Sequence, residues 1–126
     1  MRRTDQRRAA VFALYQSDVT GNTPAEQLDE DATAFTRELA DGTAAHQPEL
    51  DELIGRYAHG WSLDRIAPLE RNIMRVALYE LLHRPDVPAE VAIDEAVEAA
   101  KELCSADAPG FVNGILGAVE REEVAS

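Results

Sequence analysis

Cysteine is almost missing from this sequence, with Cys104 its sole representative. A lone thiol cannot close an internal disulfide, which excludes a disulfide-stapled scaffold and fits a reducing cytoplasm. Long apolar runs are missing as well. None approaches the about 20 residues needed to cross a bilayer, and the arginine-rich start, Met1 to Arg8, is not followed by the apolar segment of a secretory signal. Histidines are few and scattered: His46, His59 and His83 lie in three separate segments, none at metal-ligand spacing from a cysteine or another histidine. No metal site and no cofactor are expected on that ground. There is no phosphate-cradling glycine loop. Asp94 and Glu95, being adjacent on a helix, face different directions and make no carboxylate dyad. These absences argue against an enzyme.

Positive charge is also scarce. Twelve Lys and Arg stand against 24 Asp and Glu, a net charge of −12. Its distribution is uneven. Residues 1–8 hold four arginines and one aspartate, a local charge of +3, so the rest of the chain carries −15. Most of the surface repels a polyanion and one corner attracts it. Charge alone leaves two readings open, an RNA-attracting corner and a solvated helix start.

What is present is helical patterning. At 126 residues, with 45% hydrophobic and 29% charged residues, the chain has the length and balance of one globular domain, 1–126. Apolar residues recur at helical spacing between short breakers, with no strand-like alternation. The first helix is predicted from about Thr4 to Asp18, with Val11, Leu14 and Tyr15 on its inner face and Phe12 beside them. Thr23-Pro24-Ala25-Glu26 reads as a capping box. A third helix carries Phe35 and Leu39 and is expected to stop at Gly42. Pro48 opens a fourth, with Leu50, Leu53, Ile54 and Tyr57 as its stripe, and Ser62 to Ile66 reads as a short turn. Pro68 starts a long helix to His83, with Leu69, Ile73, Val76, Ala77 and Leu81 inward. An alanine-rich helix spans about Ala89 to Cys104, with Cys104 read as a small core residue. After a loop, Phe111 to Arg121 forms the last helix, where Gly114 and Gly117 suit a crossing helix backbone. The fold class is therefore all-α: about seven short helices.

Two features suit nucleic acid. Arg3 and Arg7 are one turn apart, so they can line one ridge, and a guanidinium binds phosphate through two bonds and stacks on bases. An exposed Phe111 could stack an unpaired base; a buried one would be core. Pattern alone leaves that choice open.

Four ordered stretches resemble the NusB family: Arg7-Arg8-Ala9-Ala10-Val11-Phe12-Ala13-Leu14-Tyr15-Gln16; Leu69 through Leu81; Val87-Pro88 with Val91 through Lys101; and Phe111-Val112-Asn113-Gly114-Ile115-Leu116. The resemblance implies a NusB-like fold of two packed helical subdomains. It implies a cytoplasmic, non-enzymatic transcription antitermination factor that binds boxA RNA of ribosomal RNA operons as a heterodimer with the ribosomal protein NusE, within an RNA polymerase antitermination complex. A homodimer of the free protein stays open. By position, the resemblance assigns Arg2, Arg3, Arg7, Asp107 and Phe111 to RNA, and Tyr15, Val19 and Glu70 to NusE. The arm carries Thr4 and Asp5 where family members can have more arginines, and Ala108-Pro109-Gly110 lacks the basic residue often preceding the phenylalanine. Weak RNA binding without the partner is expected, with a steep salt dependence. Two other functions stay open. One is a helical protein-interaction module without RNA binding. The other is the NusB-like domain of an RNA cytosine methyltransferase, for which 126 residues leave no room for a methyl-donor domain.

Overall fold

A computed structural model describes residues 1–124. Among them there are seven α-helices and no strand: α1 (Arg3–Thr20), α2 (Pro24–Gln27), α3 (Ala34–Ala45), α4 (Gln47–Tyr57), α5 (Pro68–His83), α6 (Ala89–Leu103) and α7 (Ala108–Val119). A 3-10 turn, Leu63–Arg65, precedes α5, and a π turn, Glu120–Val124, follows α7. Among the described residues, no helix is long and apolar enough to cross a membrane.

The centre is α5. Pro68 occupies its first turn, where the missing N–H costs nothing. It is buried on almost every side, from Asn72 through Leu81, because α1, α3, α4, α6 and α7 all pack on it. A helix so enclosed cannot show a simple one-sided stripe, and the five inward residues read from the sequence understate its burial. Met74 and Leu78 are fully buried along with Ile73. The alanines Ala92, Ala96, Ala99 and Ala100 let α6 approach closely. One continuous apolar cluster runs from Ala10 on α1 to Val119 on α7.

Several local expectations are corrected. The Thr23 side chain makes no cap bond; the backbone alone closes that turn, from Glu26 N–H to the Thr23 carbonyl at 3.1 Å. The side-chain cap falls instead at Thr33, which accepts from Thr36 N–H at 3.2 Å. Gly42 does not stop α3, which continues to Ala45. It is a packing glycine: a Cβ there would lie 2.3 Å from the Tyr79 ring. Gly114 meets nothing within 4 Å, so no helix backbone crosses it. The last helix, α7, starts at Ala108, not Phe111, with Pro109 in its first turn. Cys104 caps the end of α6 and is partly exposed rather than core.

Candidate nucleic-acid and partner interface

The N-terminal arginines have three different fates. Arg2 is open to solvent and pairs with Asp5 at 3.3 Å. Arg3 is exposed, makes no ion pair among the described residues, and lays its guanidinium 3.7 Å over the Phe35 ring. Arg7 turns inward. It is 9% exposed and donates to both carboxylate oxygens of Glu80, at 2.8 and 2.9 Å. Burial works against the Arg7 charge, but the Glu80 carboxylate outweighs it and raises the guanidinium pKa. The expectation that Arg7 shares a ligand-facing ridge with Arg3 is therefore corrected: its fork is already filled by Glu80. The signal was in the sequence, since Arg7, Val11 and Leu14 lie at i, i+4 and i+7, which is the inward stripe.

Beside this corner the surface is acidic. Arg2 and Arg8 line a shallow depression with Asp94, Glu95, Glu98 and Glu102 of α6, and Arg8 pairs with Glu102. Among the described residues, Arg3 is the arginine of this corner without an ion pair.

The second element is a groove at the other end of α5. Trp61, Arg65, Ile66, Glu70, Asp107 and Phe111 line it, with a volume of about 280 Å³, close to the lower bound for small-ligand sites. Phe111 is half-buried, neither sealed in the core nor fully free, and stands edge-on to Trp61 at 6.2 Å between ring centroids, 69° between planes. Trp61 is 54% exposed. Arg65 is exposed and makes no ion pair among the described residues, so the 3-10 turn brings to this groove the positive charge that the Ala108-Pro109-Gly110 loop lacks. Asp107 is exposed at the start of α7. Glu70 is partly buried, and desolvation pushes its carboxyl above the ordinary range. Trp61 and Arg65 were not singled out from the sequence. They lie in an irregular connection, and only the fold sets that connection against α7.

The third element is the outer face of α1. Phe12 and Val19 are exposed, Tyr15 is half-buried between them, and all three follow helical spacing. Asp18, next to Val19, accepts from Arg71, next to Glu70, at 2.7 Å. This bond ties the C-terminal end of α1, which carries Val19, to the start of α5, which carries Glu70. Asp18 also receives Asn72 at 3.1 Å and Arg75 at 3.2 Å. Burial opposes its charge, but the bonds from Arg71 and Asn72 and the charge of Arg75 prevail, holding the carboxyl below its usual range. Phe12, expected near the inner face, is instead part of this exposed apolar strip.

The NusB family model matches residues 4–121. The chain belongs to the NusB family. The transcription antitermination protein NusB of Myxococcus xanthus (strain DK1622) is 41% identical, over 94% of this chain and 93% of that protein. Among solved structures, T. maritima NusB superposes with a TM-score of 0.90 at 34% identity, covering 98% of this chain and 94% of that one. A crystal structure of the antitermination factors NusB and NusE in complex with dsRNA gives a TM-score of 0.83 at 27% identity, covering 94% of this chain and 96% of that one. Within this NusB-family chain the α1 corner, the aromatic groove and the α1 strip are three features left partly open to solvent.

Proposed function

We propose that this chain is a transcription antitermination factor that binds boxA RNA of ribosomal RNA operons as a heterodimer with NusE, and that it is not an enzyme. The observation that carries the RNA half is the groove in which Trp61 and Phe111 offer aromatic surface beside an unpaired Arg65. Aromatic surface beside a cation suits an unpaired nucleotide, the base stacking and the phosphate meeting the guanidinium. Arg3 and Arg2 supply a second, weaker cationic contact at the α1 corner, and Asp107 offers an acceptor to a base edge. Arg7 acts by holding α1 on α5, not by touching RNA.

NusE docks on the strip formed by Phe12, Tyr15 and Val19 and reaches Glu70. Docking against Glu70 also stands beside the groove, which gives the two ligands a shared boundary. The body is strongly acidic, so the isolated chain binds RNA weakly, and a cationic partner raises the affinity by adding charge along the RNA path. The heterodimer would then enter an RNA polymerase antitermination complex in the cytoplasm. Self-pairing of the free chain would hide the same surfaces, and light scattering of the free protein reads it directly.

A gel-shift titration with boxA RNA tests the reading, with and without NusE. The expected outcome is a weak shift with the chain alone and a strong one with both proteins. An interaction module without RNA binding would give the NusE complex but no RNA shift.

A further inference from the structure

We propose that His46, Glu49 and His83 form a binding site for one divalent transition metal of the zinc class. The fold assembles what sequence spacing keeps apart, since Glu49 and His83 are 34 residues distant in the chain. His46 is the hinge between α3 and α4, its N–H held by the carbonyls of Gly42 and Thr43 at 3.1 and 3.2 Å. Glu49 lies in the first turn of α4, and His83 ends α5. One ligand atom from each lies within 4.8 Å of the other two. Glu49 Oε1 is the shared centre, 2.7 Å from His83 Nε2 and 3.8 Å from His46 Nδ1.

The two imidazoles stack at 3.9 Å between centroids, 22° between planes. Tyr79 backs both rings at 5.8 and 5.5 Å, and it reaches that place because Gly42 has no side chain. Tetrahedral zinc, with bonds of about 2.0–2.1 Å, sets its ligands about 3.4 Å apart, so binding opens the 2.7 Å Glu49–His83 contact and turns the two rings out of their stack until both nitrogens face the ion. The two imidazoles are borderline donors and the carboxylate a hard one; the nitrogen majority suits zinc, nickel or copper rather than magnesium or calcium, which take oxygen. No arginine or lysine bonds Glu49 among the described residues; the nearby Arg84 is committed to Glu38 and Asp86. Three protein ligands leave the fourth position to water, and the bound ion ties the α3–α4 hinge to the end of α5.

The test is calorimetric titration of zinc into the full chain, untagged and stripped with EDTA, alongside cobalt titration read by its visible absorption. One saturable site is expected, with cobalt bands of four-coordinate intensity and a thermal midpoint that rises with zinc. His46→Gln and His83→Gln should each weaken zinc by about tenfold or more, while His59→Gln and Cys104→Ser should not change it. Magnesium should give no binding. Helical circular dichroism of the variants establishes that they are folded. No saturable zinc binding would overturn the proposal, and so would undiminished binding in the folded His46→Gln and His83→Gln variants, which would locate the metal elsewhere.

Discussion

Replacing Arg7 by alanine separates a structural role from an RNA-binding one. Glu80 is 1% exposed and its two carboxylate oxygens are both held by Arg7. Removing the arginine leaves that carboxylate buried without its counter-charge, and a buried pair broken from one side costs about 3–5 kcal/mol. Unfolding entropy of about 2.1 cal/mol/K per residue, over a chain of this length, makes each kcal/mol worth roughly 4 °C, so the melting midpoint should fall by roughly 11–19 °C. Calorimetry and urea unfolding read both quantities. The compensating variant, Arg7→Met with Glu80→Leu, should recover most of the stability, because an apolar pair of similar volume needs no desolvation of charge. In binding assays below its midpoint, Arg7→Ala should hold RNA about as well as the parent once corrected for folded fraction. A variant that stayed within about 1 kcal/mol of the parent yet bound RNA poorly would refute the reasoning and return Arg7 to the RNA surface.

Further expectations follow from the same geometry. Trp61→Ala and Phe111→Ala should each weaken RNA binding by about 1–3 kcal/mol, roughly 5- to 150-fold, and Trp61→Ala should barely move the melting midpoint because that ring is largely exposed. Arg65→Ala and Arg3→Ala should each make the salt dependence of RNA binding shallower, by roughly 0.7 in log–log slope for each single-strand phosphate no longer neutralised. Gly42→Ala should destabilise by about 1–3 kcal/mol, since the new methyl overlaps the Tyr79 ring; denaturant midpoints check it. Asp18, whose carboxyl is held below 3.8, contributes stability above that pH and loses it as the pH falls through the lowered value. Asp18→Asn should therefore melt lower than the parent at neutral pH, and the gap should close under strongly acid conditions.

The helix inventory was legible because prolines and periodicity speak locally. Pro68 and Pro85 bracket α5, and Leu50, Leu53 and Ile54 mark the inner face of α4. What failed depended on distant neighbours. Gly42 reads as a stop until Tyr79 is known to press against it. Gly114 suggests a crossing that no helix makes. Arg7 shares the inward stripe of Val11 and Leu14, so its burial was legible, but its partner Glu80, 73 residues away, was not. Phe111 stays undecided in the sequence because the fold packs it partly on the core and partly against Trp61, which lies in a connection with no periodicity. The histidine cluster was invisible for the same reason: spacing rules find ligands on one element, and these three come from a hinge, a first turn and a last turn.

The most direct test of the central claim, that RNA is gripped by the aromatic groove and the exposed arginines while Arg7 only braces α1, is fluorescence anisotropy of labelled boxA RNA with NusE present. The parent should be compared with Arg3→Ala plus Arg65→Ala, with Trp61→Ala plus Phe111→Ala, and with the Arg7→Met, Glu80→Leu pair. The account predicts that the first two double variants lose affinity while remaining folded and NusE-bound, and that the third keeps it. Full affinity in the first two, or its loss in a folded third, would contradict the account.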